Sequence, residues 1–128
     1  MSHYSRLSMI VIDVSEADHD KEVGFWRAAT GKALKRGERY PEYHAADLGE
    51  GGFGLLVQRL GDGPSRIHLD IHTDDLAAEV TRLEGLGAER VREVHGWQIM
   101  RDPAGLLFCV IPDTSGSLAG DGNAQRWE

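Results

Sequence analysis

The chain has 128 residues, 41% of them apolar and 27% charged, and a formal net charge of −7. That length fits one domain burying about two-thirds of its unfolded surface, with the composition of an ordinary soluble globular protein. The negative balance and scattered basic residues exclude a nucleic-acid backbone as partner, and no run approaches the ~18 apolar residues of a membrane span.

In chain order, the opening "MSHYSRLSMIVIDVSE" lacks the pattern of a signal peptide, and "LSMIVIDV" (7–14) within it reads as a β-strand. "DHDKEVGFWRAATG" follows as a helix with Val23, Trp26 and Ala29/Thr30 at helical spacing, Asp18 as the expected N-cap and Gly31 as its stop. Three short strands are expected around "KALKRG", "EYHAADL" and "GFGLLVQRL", with Glu50-Gly51-Gly52 turning between the last two. After the linker "GDGPS" (61–65) the order repeats. "RIHLDIHT" is a strand, and "DDLAAEVTRLEGLG" is a helix with Leu76, Val80, Leu83 and Leu86 on one face, capped by Asp74 or Asp75 and ended by Gly87. "AERVREV", "WQIMRD" and "LLFCVIP" are three more strands, and "DPAG" (102–105) suits a type I turn. The expected fold is therefore α+β, two tandem βαβββ modules over 6–60 and 66–113. The tail 114–128, small and polar apart from Trp127, is expected to be flexible.

The doubled module, with "HLDIHTDDLAAEVTRLEGLGA" followed by "W…RDPAGLLFCVIPD", resembles the vicinal oxygen chelate superfamily of glyoxalase I, bleomycin-resistance proteins and extradiol dioxygenases. "DVSEADHDKEVGFWRAATG" is similar to the first helix of its glyoxalase-like branch. The resemblance implies half-barrel sheets around a ligand cavity over 1–113, a small-molecule ligand and a homodimer. It also implies that metal enzymes of the group take one ligand from the first and one from the last strand of each module.

Alternation along strands tests that pattern residue by residue. Ile10, Ile12 and Val14 should pack on the helix, leaving Met9, Val11 and Asp13 toward the cavity. Leu69, Ile71 and Thr73 leave His68, Asp70 and His72 inward. The last strands offer Gly54, Leu56 and Gln58, then Leu107, Cys109 and Ile111. On the family pattern the four ligand positions become Met9, Gln58, His68 and Cys109, of which only His68 matches the usual His/Glu set. Met9 is a poor ligand for hard or borderline divalent ions, and Gln58 is a weak neutral donor. His68 and His72 lie ~13 Å apart along a straight strand, too far to share one ion. No divalent metal is therefore the favoured cofactor, and a glyoxalase-like lyase, isomerase or dioxygenase with an ion on His68 is the alternative.

The ligand-binding candidates are Met9, Gln58, His68, Asp70, His72, Trp97 and Cys109; the acid/base candidates are His68, Asp70 and Asp13. Cys109, the one cysteine, allows no internal disulfide and fits a reducing cytoplasm. Tyr40, Tyr43 and His44 lie in middle strands whose inward or outward sense the sequence leaves open. "KALKRGERY" is a local basic patch suited either to solvent or to an anionic ligand. The first reading is a metal-independent small-molecule binder or sequestering protein akin to the resistance branch. A metal-free acid/base enzyme is the second alternative.

Overall fold

A computed structural model describes residues 2–38, 43–49, 52–61 and 63–128. The Glu50-Gly51-Gly52 turn and Tyr40 lie outside the described residues in whole or part. The elements run β1 (His3–Ser15), α1 (Glu16–Thr30), β2 (Lys35–Arg36), β3 (Tyr43–Asp47), β4 (Gly54–Leu60), β5 (Arg66–Thr73), α2 (Leu76–Gly85), β6 (Glu89–Val94), β7 (Trp97–Arg101), β8 (Leu107–Pro112) and β9 (Gln125–Trp127). This is the α+β order read from the sequence, βαβββ twice, with one further strand. Two compact units result, one of Met9–His68 and one of Met1–Ser8 with Leu69–Glu128. The boundaries fall within the residue ranges of β1 and β5.

In the first unit, Met9–His68, the strand order is β2-β3-β4-β1, with β4 parallel to β1 and antiparallel to β3. Period-2 alternation sends Ile12 and Val14 into a core with Val23, Leu34, Leu55 and Val57, and Ile10 and Trp26 pack against it. The helix begins three residues earlier than the sequence suggested. Ser15 is the N-cap residue, and its hydroxyl donates to Asp18 Oδ2 at 3.2 Å, so Asp18 sits in the first turn instead of capping it. Gly31, at φ 70°, ends the helix in the left-handed conformation that glycine reaches without a Cβ penalty.

In the second unit the order is β5-β8-β7-β6, again with the last strand of the module parallel to its first. Val80, Leu83, Met100 and Val110 form its core, with Ile71, Leu76 and Phe108 against it. Leu86, expected on the apolar face of α2, instead lies past the helix end and is 67% exposed. The Asp75 carboxylate caps α2 by accepting from the Ala78 amide at 3.0 Å. Asp75→Ala should cost about 1 kcal/mol, read by chemical denaturation, with no change in the site described below. The "DPAG" turn forms as expected: Gly105 N–H donates to Asp102 O at 2.9 Å, and Asp102 Oδ1 accepts from Ala104 and Leu106.

The tail corrects the sequence reading. β9 pairs antiparallel with β1, placing Trp127 opposite His3, and Leu118 is buried. Trp127 Nε1 donates to Ser5 Oγ at 2.9 Å, the Arg82 guanidinium lies 3.9 Å from the Trp127 ring centre, and Arg6 pairs with Asp121 at 2.6 Å. Polar composition suggested a loose end. One indole, one guanidinium stacked on it and a short ladder outweigh that composition.

Candidate functional site

In the first unit, the face of β1 away from α1 carries Met9, Val11 and Asp13, as alternation required. The β1–β4 register sets Met9 opposite Gly54, Val11 opposite Leu56 and Asp13 opposite Gln58, and the β3–β4 register adds Tyr43 opposite Gln58 and Ala45 opposite Leu56. Opposed residues of paired strands share a face. Tyr43, Gln58 and Asp13 therefore form a polar row, and Ala45, Leu56 and Val11 form an apolar row beside it. Tyr43 is thus assigned to this face and His44 to the helix face.

At the end of the polar row, His68 Nδ1 lies 2.6 Å from Asp13 Oδ2, and Arg66 Nε lies 3.6 Å from the same oxygen. Asp13 is 1% exposed, and its Oδ1 has no hydrogen-bond partner among the described residues. A carboxylate only accepts, so the His68 proton sits on Nδ1 and the Nε2 lone pair is directed away from Asp13. The sequence placed Asp13 and His68 inward but did not pair them. The signal that could have done so is their position at opposite ends of two inward runs, brought side by side if β1 and β5 are antiparallel.

The second unit repeats the pattern. Asp70 stands opposite Cys109, His72 opposite Ile111, and Ile99 opposite Cys109, so Trp97, two residues along β7, shares that face. Asp70 is 5% exposed. Burial pushes the His72 imidazolium below its ordinary range against the raising effect of Asp70 and Asp113, with Arg6 lowering it further, so His72 is neutral at pH 7. Cys109 has a carboxylate neighbour in register, Asp70.

Both modules pair their first strand with their last in parallel: Val11 stands opposite Leu56 and Asp13 opposite Gln58 in the first, Asp70 opposite Cys109 and His72 opposite Ile111 in the second. A Cβ at Gly54 would lie 3.3 Å from Met9 Sδ, so the thioether lies across at Gly54 and not along the strand toward Gln58. In the first unit the two expected ligand positions, Met9 and Gln58, carry a thioether and a neutral amide, both weak donors for a divalent ion.

On the helix side of the same unit, an open groove of about 700 Å³ is lined by residues including Ile12, Val14, Phe25, Trp26 and Ile67, with Arg66 at its edge. It lies behind the strands that carry the polar row.

Fold and register together define a paired-βαβββ protein with a polar row on one module face. The sequence profile of the glyoxalase-like domain matches residues 9–111, and the chain belongs to that family, within the vicinal oxygen chelate superfamily. Comparison with curated proteins finds no match. Among solved structures, a variant methylmalonyl-CoA epimerase from Streptomyces coelicolor, in complex with 2-nitronate-propionyl-CoA, is similar at 19% identity and TM-score 0.54, covering 86% of this chain and 95% of its own. Methylmalonyl-CoA epimerase from Mycobacterium tuberculosis is similar at 16% identity and TM-score 0.54, over 90% of this chain and 91% of its own. The 2,2',3-trihydroxybiphenyl 1,2-dioxygenase of Sphingomonas wittichii strain RW1 is similar at 14% identity and TM-score 0.56, over 85% of this chain and 41% of its own. At these identities the likeness establishes the fold. No helix among the described residues is long and apolar enough to cross a membrane.

Proposed function

We propose that this protein binds a small molecule against the polar row of the first unit and that His68, oriented by Asp13, exchanges a proton with it, with no divalent metal. The 2.6 Å Asp13–His68 bond carries this reading, because it fixes the ring and its tautomer as a positioned acid/base group requires. The neighbouring rows supply both halves of a binding surface: Tyr43 and Gln58 for polar groups, Val11, Leu56 and Met9 for apolar ones. A carbonyl compound with an acidic C–H beside the carbonyl suits this arrangement. His68 Nε2 takes the proton, the bonding pair moves toward the carbonyl oxygen, and in this reading the Gln58 amide donates to that oxygen. Return of the proton to the same carbon regenerates the imidazole. The structural likeness to epimerases supports this substrate class, since epimerisation is proton removal and return at one carbon.

The test is proton exchange in D2O, followed by NMR, with methylmalonyl-CoA and a panel of smaller thioesters and 2-substituted carbonyl acids. Exchange is expected to persist in EDTA with an unchanged melting temperature, and to be lost in His68→Ala. Activity lost in EDTA and restored by a divalent ion would overturn the metal-free reading in favour of a glyoxalase-like lyase, isomerase or dioxygenase using His68. A second reading, sequestration without reaction as in the resistance branch, is favoured by the weak donors at Met9 and Gln58. Saturable stabilisation by a panel compound with no exchange would establish it. Asp70, His72, Trp97 and Cys109 are proposed as contacts of a ligand on the second unit's own face. A homodimer, and a reducing compartment suited to Cys109, belong to the same proposal, the first read by sedimentation.

A further inference from the structure

The polar row of the first unit ends at an exposed cation. Arg66 is the first residue of β5, and alternation puts it on the same face as His68, two residues along. Both side chains converge on one oxygen: His68 Nδ1 lies 2.6 Å from Asp13 Oδ2, and Arg66 Nε lies 3.6 Å from it. Exposure falls inward through this set, from 45% at the Arg66 side chain to 11% at His68 and 2% at Asp13. A small molecule that reaches His68 from solvent therefore has the Arg66 guanidinium beside it.

The two contacts to Asp13 differ in kind. At 3.6 Å the Arg66 contact is attraction between charges without a hydrogen bond, so the planar fork of N–H groups is not committed to Asp13. With His68 in the neutral tautomer that accepts a proton, the buried carboxylate leaves negative charge beside the imidazole. That charge repels an anionic ligand, and removal of a proton from carbon adds further negative charge to the ligand. A guanidinium at this point offsets both, and its fork matches a carboxylate held by two hydrogen bonds.

We propose that Arg66 is the specificity-determining residue of this site: it holds a carboxylate that the ligand carries beside its acidic C–H, and so selects carbonyl acids over their uncharged esters. This role rests on the reading of His68 as the proton-exchanging group. It adds a requirement for ligand charge, which the neutral Gln58 amide does not impose.

The experiment compares 2-methyl-3-oxobutanoate with its methyl ester, by proton exchange in D2O and by equilibrium binding followed through the NMR signals of the His68 ring. The acid-to-ester ratios of kcat/KM and of affinity are each expected to fall at least about tenfold in Arg66→Gln. Taking the ratio cancels any change in proton transfer that the substitution causes through Asp13, because both compounds share it. Arg66→Lys, which keeps the charge and loses the fork, should recover part of each ratio. Arg59→Gln, which removes an equal charge from the face of β4 opposite to that of Gln58, should change them by less than about twofold. Ratios that stay unchanged in Arg66→Gln overturn the role of Arg66, as does failure of the acid to bind the wild type. An affinity ratio that falls in Arg66→Gln while neither compound exchanges upholds the carboxylate site and overturns proton transfer at His68 instead.

Discussion

Asp13→Asn is expected to lower proton exchange by about 10²–10⁴-fold while leaving the fold intact. The substitution preserves shape but turns an acceptor-only group into an amide whose NH2 donates. His68 Nδ1 then faces either an amide oxygen or an amide nitrogen. In the second case the ring must carry its proton on Nε2, which removes the lone pair that the reaction uses. The protein tolerates the exchange because Asp13 makes its 2.6 Å bond from Oδ2 alone, and Oδ1 has no described partner to lose. Nitrogen-15 shifts of the His68 ring report the tautomer directly and without a substrate. Nδ1 protonation is expected in the wild type, with a mixture or reversal in Asp13→Asn. An unchanged tautomer with unchanged exchange would show that Asp13 only fills space beside His68. His68→Ala must abolish exchange under the same reading, and retained exchange there would place the chemistry elsewhere.

The polar row was partly legible in the sequence. Alternation on β1 and β5 put Asp13, His68, Asp70 and His72 on the faces away from the helices, and the two cores formed on the opposite faces as expected. Local signals with a definite mechanism also held: glycine after each helix, aspartate at the α2 cap, the Asp-Pro-Ala-Gly turn. What the sequence could not supply was register. A strand's facing is set by its own residues, but the residue opposite is set by the partner strand. Tyr43 therefore had no assigned side until it paired with Gln58.

The tail and α2 were misread for a related reason. Glu79 lies on a helix face that is otherwise apolar, where the helical periodicity gives no signal for it. It is 0% exposed, and its carboxylate accepts from His3 Nε2 at 2.8 Å and from Arg82 Nε and Nη2, each at 2.8 Å. None of these partners is deducible from periodicity, because His3 comes from the far end of the chain. Trp127 then stacks on Arg82 and bonds Ser5, so the C-terminal strand is attached to the same cluster.

Glu79→Ala should accordingly destabilise the protein by about 3–5 kcal/mol, the cost of leaving the half-buried Arg82 guanidinium and the buried His3 ring without their carboxylate. Trp127→Ala removes only the stacking and one hydrogen bond, and about 1–2 kcal/mol is expected. The pH dependence follows from the same carboxylate. Burial alone would raise its pKa, but the hydrogen bonds from Arg82, His3 and Ser5 and the Arg82 charge outweigh burial and hold it below the usual glutamate range. As pH falls, the unfolded chain therefore takes up the Glu79 proton first, and folding loses stability until the folded carboxylate is protonated too. The contribution is complete above the unfolded value of about 4.5 and disappears at more acidic pH. Urea unfolding of the wild type and Glu79→Gln across this range separates the two parts of the argument. The wild type should lose stability more steeply than the variant below pH 4.5, and the curves should converge in strong acid. Parallel curves would show that Glu79 contributes packing and hydrogen bonds but no charge, and that its ion pairs leave the acid stability of the fold unchanged.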